Sequence, residues 1–170
     1  MYSELFILRH SKSDWRDSAL SDHDRALNGR GKHDAEQLAR WLKTNSLRPD
    51  KVICSTALRA RQTLQPIIEH LDLEASDIQY EERLYLASLK NLLQVIQAGK
   101  PEQGSLMIVG HNPGLDELVA YLASSPPPLS KSGKLMTTTS LAHFKMPADW
   151  IRLEQQAQLI TITRPGDIAG

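Results

Sequence analysis

Short apolar runs and helix-period stripes alternate along this chain. The first run, Leu5-Phe6-Ile7-Leu8, has no polar residue inside it, which is the pattern of a strand covered on both faces. From Gly29 to Asn45, residues Ala35, Leu38, Ala39 and Leu42 recur on one face at helical spacing. Lys51 to Cys54 reads as a second strand, entered through Pro49-Asp50, and the helix after it carries Leu64, Ile67, Ile68 and Leu71 on one stripe. Ile78 to Tyr80 is a third, weaker strand. Ser88 is placed to cap a helix with Leu89, Leu92, Leu93 and Ile96 inward, closed by Gly99 and Pro101. Ser105 to Val109 is a clear strand, and Pro113 to Ala123 a helix with Leu115, Leu118, Val119 and Leu122 inward.

The last part of the chain differs. Ser124 to Gly133 is rich in Ser and Pro, with Pro126-Pro127-Pro128 in its middle, and reads as a loop bordering any site nearby. Two late strands follow, Ser140 to Phe144 and Ala157 to Thr163, with no convincing helix between them, which favours an antiparallel edge. The whole pattern predicts a three-layer α/β/α sandwich with a mostly parallel central sheet and one antiparallel strand. No internal repeat or long linker divides the 170 residues, so one domain, 1–170, is expected.

Composition narrows the function. Lys plus Arg and Asp plus Glu both total 20, for a formal net charge of zero. No global basic field invites nucleic acid, so affinity for phosphate must come from a local pocket. Neither a signal peptide nor a membrane span is legible, and a cytoplasmic protein is the expectation. The single cysteine, Cys54, allows no internal disulfide and no thiolate metal cluster, and it reads as a buried thiol.

Chemistry-bearing residues stand at three predicted strand ends. The first ends in Arg9-His10, the second in Cys54-Ser55 followed by Arg59, and the Val109 strand in Gly110-His111-Asn112-Pro113. In a parallel sheet these ends share one edge, where open α/β sheets bind ligands. A neutral histidine is a nucleophile, and arginine matches phosphate oxygens with paired donors. Arg9, Arg59 and His111 around His10 therefore make an anion pocket with a nucleophile inside. A helix start after His111 is expected to add backbone N–H donors.

The order of these motifs resembles the histidine phosphatase superfamily, which includes phosphoglycerate mutases and SixA-type phosphohistidine phosphatases. The family's R-H-G reads Arg9-His10-Ser11 here, and its S-x-x-R-A-x-Q-T block is met by Ser55, Arg59, Ala60, Gln62 and Thr63. The G-H-N-P of the SixA-like branch is Gly110-His111-Asn112-Pro113; Asp24-Arg25-Ala26-Leu27 with Gly29-Arg30-Gly31, and Arg83-Leu84-Tyr85, fit the same branch. The resemblance implies a phosphoglycerate mutase-like fold and a phosphatase needing no metal and no cofactor. His10 would carry the phosphoryl group as a phosphohistidine while Arg9, Arg59 and His111 bind its oxygens. A general acid is expected from the third-strand region, with Glu82 ahead of Glu81.

The substrate implied is phosphohistidine in a phosphorylated protein. A small phosphate ester on the same scaffold, or a non-catalytic phospho-binding module, are the alternatives; nucleic acid and membrane partners are not expected. Oligomeric state is open. Ser11 stands where the family has glycine, with its hydroxyl expected near the phosphate. Ser13 and Trp15 match the mutase-like S-x-W-N but Arg16 replaces the asparagine, which weakens a mutase reading. Lys12 and Arg16 read as solvated, and Arg25 as packing its loop near the site. His23, His33, His70 and His143 lack ligand spacing and read as structural or surface residues. Arg61 reads as exposed, and Trp15, Trp41 and Trp150 as packing residues.

Overall fold

A computed structural model of the chain describes residues 3–168. The apolar runs become strands: β1 (Glu4–Arg9), β2 (Lys51–Ser55), β3 (Ile78–Glu81), β4 (Ser105–Gly110), β5 (Leu141–Lys145) and β6 (Gln158–Thr163). They form one six-stranded sheet in the order β3-β2-β4-β1-β5-β6. β4 lies between β1 and β2 and is parallel to both, and β3 is parallel to β2. β5 runs against β1 and β6 runs against β5, so β5 alone points the other way.

Helices α1 (Gly29–Thr44) and α2 (Leu58–Leu71) cover one face, and α3 (Leu89–Gly99) and α4 (Gly114–Leu122) the other. The period of two in β1 explains the layering. Leu5 and Ile7 pack with Leu92, Ile96, Leu115 and Leu118, while Phe6 and Leu8 pack with Leu38, Leu42, Leu64 and Ile67. All six residues of β4 are buried. Truncating a leucine in such a core costs about 2–5 kcal/mol. The closing turn α5 (Pro165–Ile168) and the 3-10 turns Ala75–Asp77 and Glu82–Leu84 were not foreseen, being too short to leave a periodic signal.

Parallel β1, β2 and β4 deliver His10, Thr56 and His111 to the same sheet edge. The connection from β1 to α1 folds back across that edge. The Asp14 amide donates to Ala26 O at 2.8 Å, and the Asn28 amide to Lys12 O at 3.0 Å. This clip carries Asp22 and Arg25 over the strand ends. Asn28 then caps α1 by accepting from the Gly31 amide at 2.8 Å. Among the described residues no helix is long and apolar enough to cross a membrane.

Candidate active site

His10 is only 7% exposed. Its Nδ1 lies 2.7 Å from Ser11 O, and a carbonyl can only accept, so Nδ1 carries the proton and Nε2 keeps its lone pair. Burial first, then the charges of Arg59, Arg9 and Arg25, bring the imidazole pKa down to about 4 against the pull of the Ser11 carbonyl. His10 is therefore neutral near pH 7. The His111 ring sits 5.1 Å from it, centroid to centroid. Burial first, then His10 and Arg59, bring His111 down to about 3.

Ser55 Oγ, which accepts from the Ala57 amide, lies 2.7 Å from His111 Nε2. That hydroxyl is placed to donate to Nε2, and in this tautomer the His111 proton stands on Nδ1.

Three guanidinium groups surround the pair, two buried and that of Arg9 half-buried. Arg59, in the first turn of α2, donates from Nη1 to Asp22 O at 2.6 Å and from Nη2 to Asp22 Oδ2 at 2.9 Å. Arg25 Nη2 lies 2.8 Å from Asp22 Oδ1, and its guanidinium stacks 3.3 Å over the Trp15 ring. Arg9 donates from Nη1 to Met136 O at 2.9 Å. Beyond these bonds, Arg9 Nε, Arg25 Nε, Arg59 Nε and His111 Nδ1 are buried without a partner among the described residues. All four belong to groups flanking His10. Buried polar nitrogens are nearly always satisfied, so three open Nε–H donors and one open ring nitrogen around one nucleophilic nitrogen mark a place for an anion.

The S-x-x-R-A-x-Q-T block acquires a physical account here. Ser55 holds His111, Arg59 enters the pocket, and Ala60 is fully buried in the core that α1 and α2 share. Gln62 Oε1 accepts from the Leu27 amide at 2.8 Å, which fastens the β1–α1 clip. Thr63 Oγ1 accepts from the Ser11 amide at 2.8 Å while donating to Arg59 O at 2.7 Å, so it holds the turn after His10 against α2.

Residues 5–85 match the model of the histidine phosphatase superfamily (branch 1). An uncharacterised protein of Mycobacterium leprae is 33% identical over 165 residues, covering 93% of this chain and 99% of that one. The chain belongs to the histidine phosphatase superfamily. Escherichia coli phosphohistidine phosphatase SixA is 29% identical over 140 residues, covering 82% of this chain and 83% of its own. A solved structure from Agrobacterium tumefaciens, provisionally named phosphohistidine phosphatase SixA, superposes with a TM-score of 0.73 at 30% identity, covering 97% of this chain and 99% of that chain. The phosphoglycerate mutase-like fold follows, and the protein is a phosphatase.

In this phosphatase the fold brings Arg9, His10, Arg59 and His111 together, as the strand-end motifs predict. Arg25 joins them: the sequence places it near the site as a loop-packing residue, and the structure adds that its guanidinium is part of the pocket around His10. Asp22, the hub of the arginine contacts, carries no motif signal in the sequence. Glu82 is exposed and has no bond to any group around His10. Glu81 is engaged with Arg83 at 3.1 Å, and bonds from Arg83 hold its carboxyl below the usual range.

Two of the expected helix-start donors are engaged inside the α4 turn. The Leu115 amide donates to His111 O and the Asp116 amide to Asn112 Oδ1, while Asp116 and Glu117 occupy the first turn. The Ser11 hydroxyl does not face the pocket either: it is fully buried and accepts from Thr139 Oγ1 at 2.7 Å.

The remaining histidines have local tasks or lie exposed. His23 is 2.9 Å from Thr56 Oγ1, His70 is 2.6 Å from Glu36, and His143 stacks on Phe6 with Glu4 at 3.0 Å. His33 is exposed. No group of His, Cys, Asp or Glu among the described residues is arranged to hold a metal ion. Cys54 is buried, and burial pushes its thiol up. Arg16 is exposed and paired with Asp14 at 2.7 Å.

Proposed function

We propose that this phosphatase works through His10 and that its substrate is a protein phosphohistidine. His10 Nε2 attacks phosphorus, a P–Nε2 bond forms, and the bond to the leaving imidazole breaks with its electron pair staying on that nitrogen. Water then attacks the same phosphorus, breaking P–Nε2 and releasing inorganic phosphate. Arg9, Arg25, Arg59 and His111 hold the phosphoryl oxygens and offset the charge spread over them in each transition state. The observation that carries this reading is the set of four buried, unpartnered nitrogens around a histidine whose Nε2 lone pair is free.

The choice of phosphohistidine rests on the leaving group. An alkoxide needs a proton from a positioned acid. His10 and His111 are neutral near pH 7, and Glu82 has no bond into the pocket. An imidazole, with an ordinary pKa near 6.5, departs far more readily. A protein substrate is favoured by the large apolar side chains exposed on the surrounding loops: Trp15 and Leu20 in the β1–α1 clip, Leu86 after Tyr85, and Leu129 in the α4–β5 loop.

The test is rapid-quench intact-protein mass spectrometry with a phosphohistidine-bearing carrier protein and, separately, an aryl phosphate. A transient, acid-labile phosphoryl adduct on His10, absent in His10→Ala, is the expected result, with the carrier protein reacting faster. Faster reaction of the aryl phosphate would overturn the substrate assignment. Turnover without an adduct on His10 would overturn the mechanism.

A further inference from the structure

We propose that Asp22 is a positioning residue: with Tyr85 it clamps the outer ends of Arg25 and Arg59, so that their Nε–H donors face the phosphoryl group. This rests on the reading of the His10 pocket as the phosphoryl site. Asp22 makes an unusual number of contacts for a loop carboxylate. Its Oδ1 meets Arg25 Nη2 at 2.8 Å, and its Oδ2 accepts from Arg59 Nη2 at 2.9 Å and from the Tyr85 hydroxyl. Its backbone carbonyl takes Arg59 Nη1 at 2.6 Å.

Both terminal nitrogens of Arg59 are thus engaged on one edge. A guanidinium is planar, so fixing that edge fixes the direction of Nε–H on the other. Arg59 Nε and Arg25 Nε are the donors left buried and unpartnered. Tyr85 completes the bracket. Its ring meets His111 edge-on at 5.4 Å, lies 5.8 Å from the Arg59 guanidinium, and meets His23 edge-on at 4.9 Å.

Two other roles fit the geometry less well. As a general acid, Asp22 would need a proton. Burial pushes its carboxyl up, but the Tyr85 and Arg59 hydrogen bonds outweigh burial and leave it below the ordinary range, hence ionised. As a carboxylate filling the anion's own seat, it would be expected to take the Nε donors, and it does not. A clamp also explains how buried arginines coexist: the carboxylate between them offsets their mutual repulsion.

The experiment measures phosphate and tungstate affinity, and kcat/KM for an aryl phosphate, in the wild type, Asp22→Asn, Asp22→Ala, Tyr85→Phe, Arg59→Ala and the Asp22→Ala/Arg59→Ala double variant. Asp22→Ala should weaken both anions and lower kcat/KM by about tenfold or more, the loss expected when bonds to charged groups are removed. Asp22→Asn keeps one acceptor and should fall between. Tyr85→Phe should show a smaller loss. Since Asp22 acts through the arginines, its removal should cost clearly less once Arg59 is gone.

Tighter anion binding or faster turnover in either Asp22 variant would overturn the clamp and make Asp22 a competing anion. Equal penalties with and without Arg59 would also overturn it. The near-isosteric Asp22→Asn decides the matter if Asp22→Ala does not fold. A wild type that binds neither anion would refute the pocket reading itself, whereas wild-type binding undiminished in the variants would refute the clamp alone.

Discussion

Burial and three neighbouring arginines set the protonation state of His10, and the consequence extends to stability. His10 and His111 are pushed to about 4 and about 3, whereas an unfolded histidine titrates near 6.5. Between those values the unfolded chain takes up protons that the folded one refuses. The stability these histidines lend is present above about pH 6.5 and falls as pH drops, by about 1 kcal/mol per pH unit for each. Urea unfolding at pH 7 and pH 5 should show this acid slope, shallower in His10→Asn. The same shift predicts that aryl phosphate turnover by the wild type shows no protonation step near pH 6.5 belonging to His10; a pH-rate profile checks it. Arg9, His10, Arg59 and His111 were legible in sequence because each stands at or just beyond the end of an apolar run. Arg25 was legible only as a loop residue near the site and Asp22 not at all, because both lie in a polar loop that meets the other groups only by its return across the sheet edge.

The elements are joined at the nucleophile by two close approaches. Gly31 in α1 lies against the turn after His10 so tightly that an added Cβ would sit 2.1 Å from Lys12 O. A backbone oxygen cannot swing aside, so Gly31→Ala should destabilise by about 1–3 kcal/mol, the usual cost of overpacking, and lower kcat as the turn shifts. Thermal unfolding and steady-state kinetics measure both effects. The second approach is Ser11 to Thr139, which sits at φ +62° and whose amide donates to His10 O at 3.2 Å. Ser11→Gly should restore the family's residue yet cost about 1–2 kcal/mol, because the Thr139 hydroxyl loses its buried acceptor; equilibrium unfolding tests this. The strands and helices were readable because their periods are strong. The Ser11 contact was not, since a hydroxyl's direction depends on a partner 128 residues away. The α4 start misled because Asn112 and Asp116, both visible in the sequence, satisfy each other instead of an incoming anion.

At the scale of the molecule, a chain with no net charge concentrates three guanidinium groups at one end of its sheet. With Asp22 ionised and Glu82 exposed, alkyl phosphates should be poor substrates. An aryl phosphate should exceed an alkyl phosphate in kcat/KM by about a hundredfold or more, the contribution that general acids supply elsewhere. Side-by-side phosphate-release assays give the ratio. The alternation of strand and helix made the architecture legible, but the order of strands in the sheet was not, because nothing local specifies which neighbour a strand will choose. That order carries a consequence for biosynthesis. β1 and β2 do not touch; β4 is threaded between them. A nascent chain that has left the ribosome only as far as α3 therefore holds β1 and β2 without the strand that pairs with both. The pocket closes only when β4 arrives with His111, so a translation product cut short before it would expose unpaired strand edges to other chains and to the quality-control machinery.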